Sequence, residues 1–137
     1  ALLKLVDEDT AAFNAILAAF RLAKNTPTEK QLRKEAIQNA TRYAIEIPLQ
    51  VMQLSFQSFE ICQAMVKDGN PNSITDAAVG ALCARTAIHA AYLNVKINTA
   101  GLNDKRFVAK VLKEGKQMLT KANRLEKEIL KLANQKM

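Results

Sequence analysis

The clearest helix-breaking signal in this sequence is the segment from Gly69 to Asp76, which reads Gly-Asn-Pro-Asn-Ser-Ile-Thr-Asp. Gly69 can adopt the left-handed conformation that commonly ends a helix, and Pro71 cannot continue one. Ser73, followed three residues later by Asp76, resembles the cap of a new helix. Because apolar residues recur at helical spacing on both sides of this segment, it predicts a boundary between two long helices.

The spacing of apolar residues predicts four helices, at about 1–24, 28–67, 74–99 and 104–137. Thr28 with Gln31 resembles a capping box for the second helix, and Pro48 predicts a kink inside it. The third helix is apolar almost all round, so we expect it to be central and closely packed. In the fourth, a heptad seam suits shallow bundle packing: Val108, Val111, Gly115, Met118, Ala122, Leu125, Ile129 and Leu132.

Composition supports a single all-α domain over residues 1–137. About half of the residues are apolar, and only four are Gly and three Pro. We therefore predict an antiparallel helical bundle with a Pro-kinked long helix and a buried central helix. No apolar run is long enough for a membrane span, and Cys62 and Cys83 lack the spacing of a disulfide framework or a zinc site. These features predict a cytoplasmic protein without a metal centre.

The net charge of +7 is concentrated near the C-terminus, where residues 103–137 carry ten Lys/Arg and four Asp/Glu. A basic helix can bind nucleic acid, but such surfaces usually add aromatic residues for base stacking. Phe107 is the only aromatic residue in this segment. A solvated helix face is the favoured interpretation, nucleic-acid binding is the less favoured one, and mild attraction of an anionic small molecule is a third.

Asp9 is an unusual residue in its helix. The apolar stripe around it should face the core, and it contains Leu2, Leu5, Val6, Phe13, Ile16, Leu17 and Phe20. A carboxylate in such a stripe must be paired, protonated or exposed to a wet cavity. A structural ion pair or hydrogen bond is the simpler explanation, and a functional carboxylate is the alternative.

The third helix carries further polar candidates. Asp76, Asn94 and Asn98 project from nearly one face, but Asp76 lies about 27 Å from Asn94 at 1.5 Å per residue. Asn94 and Asn98 are one turn apart and can act together on a heteroaromatic ligand, or simply bond a neighbouring helix. The opposite face carries Arg85 and Lys96 in a polar stripe that suits solvent, a partner subunit or an anion.

Four segments in this order resemble the C-terminal domain family of formiminotransferase-cyclodeaminases, which also includes methenyltetrahydrofolate cyclohydrolases. The segments are residues 6–13 (Val-Asp-Glu-Asp-Thr-Ala-Ala-Phe), 47–49 (Ile-Pro-Leu), 69–76, and 92–98 (Tyr-Leu-Asn-Val-Lys-Ile-Asn), the last followed by Gly101, Leu102 and Asp104. The resemblance covers essentially the whole chain.

The resemblance implies an enzyme of one-carbon metabolism. Its reaction would be cyclisation of 5-formimino-tetrahydrofolate to 5,10-methenyl-tetrahydrofolate with release of ammonia, or interconversion of the methenyl and 10-formyl forms with water. It also implies a homodimer or higher homo-oligomer with a folate pocket near the subunit interface, no cofactor, no nucleic acid and no membrane. A noncatalytic helical oligomerisation module is the competing interpretation.

The resemblance also implies roles for individual residues. Asp9 matches an acidic position and is the catalytic candidate, whereas Asp76, Asn94 and Asn98 match substrate-binding positions. Arg85 and Lys96 are candidates for binding the anionic glutamate tail of the folate. The family has an N-terminal Gly-rich segment that does not precede Ala1, so we expect the domain to be incomplete at that end and this piece to be inactive if the segment completes the pocket.

Overall fold

The computed structural model describes residues 1–137 and contains four α-helices with no β-strand. Their bounds are Leu2–Arg21 for α1, Pro27–Asp68 for α2, Ile74–Thr99 for α3 and Lys105–Lys136 for α4, and a short 3-10 helix at Pro71–Ser73 precedes α3. The predicted all-α bundle is therefore confirmed. None of these helices combines the length and the apolar character that crossing a membrane requires.

Neighbouring helices are antiparallel. Gly80, near the start of α3, lies against the side chain of Cys62 near the end of α2. Asn98, at the other end of α3, bonds the backbone of α2 at Ala44. The chain therefore reverses direction through the short connection that contains the 3-10 helix, at the helix boundary predicted for residues 69–76.

The third helix lies inside the bundle, because it packs against both α2 and α4 and buries nine of its residues. Its buried residues include Ala81, Ile88 and Val95, each completely or almost completely removed from solvent. One side of α3 remains open in this chain, where Leu93 and Ile97 are 61% and 72% exposed. The expectation of a central helix is confirmed, although its apolar surface is not covered on every side.

The heptad seam of α4 faces the bundle as predicted. Val111, Gly115, Ala122 and Ile129 are buried, and the other four seam positions are half-buried. The ring of Tyr92 leaves no room for a side chain at position 115, because a Cβ added to Gly115 would lie 2.6 Å from this ring. A glycine in the seam therefore lets α3 and α4 approach each other closely.

The N-terminus of α2 differs from the prediction by two residues. Thr26 is the N-cap: its hydroxyl accepts a hydrogen bond from the N–H of Glu29 at 3.2 Å, and the Glu29 carboxylate accepts one from the N–H of Thr26 at 3.0 Å. The capping box predicted at Thr28 and Gln31 is therefore wrong. The physical reason is Pro27, whose fixed φ and missing N–H suit the first helical position and start the helix there.

The boundary between α2 and α3 is also built differently. Gly69 has an extended backbone, with φ −80° and ψ −179°, so the left-handed conformation expected there is wrong. A glycine is needed for another reason, since a Cβ would clash with the carbonyl of Met65. Ser73 occupies the N-cap position of α3 without a side-chain capping bond, and the amide oxygen of Asn70 instead caps the 3-10 helix.

The N-terminus of α4 is capped by Asp104, whose carboxylate accepts a hydrogen bond from the N–H of Phe107 at 3.0 Å. The second carboxylate oxygen receives a hydrogen bond from the guanidinium of Arg42 at 3.2 Å. Both interactions favour the charged carboxylate, and they lower the pKa of Asp104, the backbone hydrogen bond contributing most.

The first helix shows the largest departure from expectation. It packs on α2 through Leu5, Ala12 and Ala19, which are buried at a spacing of seven residues. Most of the predicted core stripe is exposed, including Val6 at 63% and Phe13 at 60%. The stripe prediction is therefore wrong, because the small alanine side chains allow the closest approach to α2, and the larger residues are left on the outer side.

Candidate functional site

A cavity of about 410 Å³ lies between α1, α2 and α3. This volume is within the range of small-molecule sites, roughly 300–1,000 Å³. Its walls are mainly apolar, and its polar lining residues are Asp9, Ser55 and Asn94. The apolar walls include Leu5, Val6, Pro48, Val51, Ala87 and Ala91. An apolar cavity with a few convergent polar groups suits a flat, partly polar ligand.

A smaller cavity of about 100 Å³ adjoins the first and shares Asp9 and Asn94 with it. Asn98 also lines this smaller cavity, together with Phe13 and Ala44. The structure therefore brings three of the predicted site residues together, although they come from helices far apart in sequence. Asp9 is solvent-exposed, so burial does not require this carboxylate to be paired or protonated.

The amide of Asn98 has a clear structural partner. Pro48 has no N–H, so the carbonyl of Ala44 cannot receive the usual helical hydrogen bond from four residues onward. The Asn98 side chain donates to this carbonyl through Nδ2 at 3.0 Å. The helix α2 continues without interruption from Pro27 to Asp68, and Asn98 supplies the donor that Pro48 lacks. The same hydrogen bond fixes the orientation of the Asn98 amide and therefore of its Oδ1.

Asp76 lies apart from these cavities. It is exposed in the first turn of α3, whereas Asn94 is near the opposite end of the same helix. A carboxylate in a first turn is stabilised by the partial positive charge of the helix N-terminus. Its placement suits a favourable interaction with the helix dipole, but it makes no capping hydrogen bond, and its substrate-binding role stays a prediction.

The two basic candidates, Arg85 and Lys96, also lie outside the cavity lining. The guanidinium of Arg85 forms a part-buried ion pair with Glu126 of α4, and Lys96 extends over the ring of Tyr92 with Nζ 5.2 Å from the centroid. Arg85 therefore pairs with α4, whereas Lys96 is exposed and lies over a ring of its own helix. A role for either residue in binding a glutamate tail stays a prediction.

Ser55 and Pro48 line the cavity but were not among the predicted site residues. Ser55 is buried among apolar neighbours on α2, and a single serine in a long amphipathic helix gives no distinctive sequence signal. Pro48 was identified only as a source of a kink. Pro48 lies three residues before Val51, and Ser55 lies four residues after it, so all three share one helix face. This spacing is the one sequence pattern that points to a shared surface.

The structure shows a helical domain with a cavity of about the size of small-molecule sites, and comparison with known proteins identifies its family. The family model described as formiminotransferase-cyclodeaminase matches residues 1–117. The methenyltetrahydrofolate cyclohydrolase of Methylorubrum extorquens is 33% identical over 132 residues, which cover 96% of this chain and 64% of that protein. The chain therefore belongs to the formiminotransferase-cyclodeaminase family, and the resemblance inferred from the four segments is confirmed.

Two further comparisons agree with this membership. The formimidoyltransferase-cyclodeaminase of Rattus norvegicus is 37% identical over 109 residues, which cover 80% of this chain and 20% of that protein. The crystal structure of formiminotetrahydrofolate cyclodeaminase from Thermotoga maritima has the same fold, with a TM-score of 0.75 at 21% identity, and the match covers 95% of this chain and 62% of that one. The chain thus spans just under two thirds of the bacterial relative and about a fifth of the rat protein.

Proposed function

We propose that the cavity between α1, α2 and α3 binds a tetrahydrofolate derivative, and that the chain acts as a formimidoyltetrahydrofolate cyclodeaminase. The reaction is cyclisation of 5-formimino-tetrahydrofolate to 5,10-methenyl-tetrahydrofolate with release of ammonia. The observation that carries this proposal is the meeting of Asp9 and Asn94 at an apolar cavity, with Asn98 lining the smaller adjoining cavity, in a member of this family.

The shape and polarity of the cavity suit the proposed ligand. A pterin ring is flat, with apolar faces and a hydrogen-bonding edge. The aliphatic walls can contact the faces of the ring, and the Asn94 amide supplies one donor and one acceptor for its edge. The Nδ2 of Asn98 is already committed to Ala44, so we propose that Asn98 acts on the ligand through Oδ1, as a hydrogen-bond acceptor.

The carboxylate of Asp9 supplies the acid–base chemistry that the reaction needs. N10 of the folate attacks the formimino carbon and loses its proton, and the bond between that carbon and the exocyclic nitrogen then breaks. The formimino group reacts in its protonated form, whose nitrogen carries two hydrogens, so one further proton lets it depart as ammonia and the positive charge stays on the methenyl product. We propose that Asp9 takes the proton from N10, returns it to the leaving nitrogen, and then stabilises the cationic methenyl product.

Methenyltetrahydrofolate cyclohydrolase activity is the second candidate. It is favoured by the relative from Methylorubrum extorquens, which matches 96% of this chain. Both reactions involve the methenyl form and differ in whether ammonia or water is exchanged at the same carbon. An absorbance assay for 5,10-methenyl-tetrahydrofolate, run in parallel with 5-formimino- and 10-formyl-tetrahydrofolate, distinguishes them.

The catalytic role of Asp9 is tested with Asp9→Asn, which keeps the size of the side chain and removes its ability to carry a proton. We expect kcat to fall by about 10²–10⁴-fold, the usual contribution of general acid–base catalysis. Asp7→Asn is the matched control, because Asp7 is an exposed carboxylate on the same helix that lines neither cavity. It should retain the wild-type rate.

Three outcomes would contradict parts of the proposal. Full turnover by Asp9→Asn would remove the assigned role of that carboxylate. Conversion of 10-formyl-tetrahydrofolate alone would replace the cyclodeaminase by the cyclohydrolase. Failure to bind any folate, measured by calorimetry, would refute the proposed function and favour a noncatalytic helical module.

We also propose that the protein is a cytoplasmic homodimer or higher homo-oligomer that uses no cofactor. Support for self-association comes from the exposed apolar residues near the cavity, Phe13 on α1 and Leu93 and Ile97 on α3. Exposed apolar surface of this kind commonly marks an interaction site. Light scattering coupled to gel filtration measures the oligomeric state directly, and a strictly monomeric mass would contradict this part.

A further inference from the structure

The hydroxyl of Ser55 is distinctive among the polar side chains of this protein. Ser55 is 3% exposed, and its Oγ is the one buried side-chain nitrogen or oxygen without a hydrogen-bond partner. Buried polar groups are nearly always hydrogen-bonded, because an unsatisfied group has lost its water without gaining a replacement. An unsatisfied hydroxyl therefore requires a physical explanation.

Several other hydroxyls in the helices, including both of the other buried ones, bond to their own helix. Thr41 donates to the carbonyl of Ile37 at 2.7 Å, and Thr99 bonds its helix backbone in the same way. Ser58, on the turn after Ser55, donates to the carbonyl of Ser55 at 2.6 Å. This local solution is common for serine and threonine in helices. Ser55 does not adopt it, so its donor and both of its acceptor sites remain free.

The position of Ser55 indicates what can use this hydroxyl. Ser55 lies on the cavity-lining face of α2, and the wall from α3 is formed by Ala87, Ala90, Ala91 and Asn94. The alanines offer no side-chain polar atom, and the other polar lining residues, Asp9 and Asn94, make no hydrogen bond to Oγ. The contents of the cavity are therefore a source from which Oγ can gain a hydrogen-bond partner.

We propose that Ser55 is a ligand-contacting residue, whose hydroxyl turns about the Cα–Cβ bond and hydrogen-bonds the polar edge of the heteroaromatic ring bound in the cavity. This inference rests on the proposed function and assigns one more contact to the same site. Asp9, on α1, then serves the reacting centre, while Ser55, on α2, orients the ring. A hydroxyl both donates and accepts, so it can bond either a ring nitrogen or an exocyclic group.

The test uses Ser55→Ala, for which a structural role and a ligand role predict opposite results. Removing an unsatisfied buried hydroxyl leaves the melting temperature of the unliganded protein unchanged or higher. Loss of a ligand hydrogen bond weakens binding, and we expect the Kd for 5-formyl-tetrahydrofolate, a stable folate substituted at N5, to rise by about three- to tenfold. Calorimetry measures the Kd, and thermal unfolding measures the stability.

Ser58→Ala is the matched control. It removes a hydroxyl from the next turn of α2, but this hydroxyl has an intramolecular partner and does not line the cavity. We expect a lower melting temperature and an unchanged Kd. Ser55→Cys provides a second variant of similar size with a weak donor, and it should bind the folate as poorly as Ser55→Ala does.

Each outcome supports or overturns the assignment. Folate binding by the wild-type chain that is equally tight in Ser55→Ala would overturn the role of Ser55 and leave the proposed function intact. A lower melting temperature in Ser55→Ala with an unchanged Kd would assign the hydroxyl a structural role instead. Absence of folate binding by the wild-type chain would overturn the proposed function, and this inference with it.

Discussion

The hydrogen bond from Asn98 to Ala44 exists because Pro48 leaves that carbonyl without its helical donor, and this dependence can be tested. Asn98→Ala deletes the donor and leaves the carbonyl of Ala44, a residue that is only 6% exposed, without its hydrogen-bond partner. A buried acceptor left unsatisfied costs about 1–3 kcal/mol. We expect Asn98→Ala to lower the free energy of unfolding by this amount.

Pro48→Ala restores a backbone N–H at the position from which the carbonyl of Ala44 is normally satisfied. In that background the carbonyl keeps a partner after Asn98→Ala, so the second substitution should cost less than it does in the wild type. The expected coupling free energy is about 1 kcal/mol, the net value of one intramolecular hydrogen bond. The wild type, the two single variants and the double variant form a double-mutant cycle. The separate effects of Pro48→Ala on helix geometry and on the cavity wall cancel when the four free energies of unfolding are compared.

The assay is urea unfolding followed by circular dichroism, with all four proteins at one concentration because self-association changes apparent stability. Equal m values would show that the variants unfold between comparable states. Asn123→Ala is the control, since Asn123 contacts His89 at the interface of α3 and α4. Its effect should add to that of Pro48→Ala. Additivity of Asn98→Ala and Pro48→Ala within about 0.3 kcal/mol would refute the proposed repair of the helix by Asn98.

Three further predictions concern other parts of the molecule. Gly115→Ala should lower stability by about 1–3 kcal/mol in chemical unfolding, because the new methyl overlaps the ring of Tyr92; an unchanged or higher stability would contradict this. Cys83 is exposed and Cys62 is buried, with burial raising the pKa of its thiol, so iodoacetamide should modify Cys83 quickly and Cys62 only after unfolding, as mass spectrometry can establish. The lowered pKa of Asp104 means that its carboxylate stabilises the folded state above its ordinary pKa of 3.8 and that this contribution is lost as the pH falls through the folded-state value. Asp104→Asn should therefore melt below the wild type at pH 6, with the gap closing on acidification below pH 4; a constant gap would contradict the assignment.

Helix content was predictable because its signals are local. Apolar residues at helical spacing located four helices, and the observed starts of α3 and α4 lie at or within one residue of the predicted ones. The seam of α4 was also correctly identified, since a heptad pattern specifies one face of its own helix. The errors at Gly69 and Thr28 came from competing local signals: a glycine can serve close approach as well as a left-handed turn, and Pro27 decides where α2 begins.

The buried side of α1 was not predictable in the same way. A stripe of large apolar residues normally predicts the core-facing side, yet this chain buries Ala12 and Ala19 and leaves Phe13 exposed. The choice depends on how closely α1 can approach α2, which involves the shape of both surfaces. Likewise, the meeting of Asp9 with Asn94 depends on how the helices pack, because the two residues are 85 positions apart in sequence. The resemblance to a family suggested these residues together, but the spacing of residues could not.

The sequence by itself determined the helices, their order and the family to which this chain belongs, because these follow from local periodicity and from ordered motifs. Only the tertiary structure decided that Asp9 faces a cavity, that Asn98 completes the helix at Pro48, and that the hydroxyl of Ser55 is left without a partner. Each of these is a property of side chains from different helices, and hydrogen bonding is directional and short-ranged. Whether a polar group is satisfied is therefore fixed only when the helices have packed.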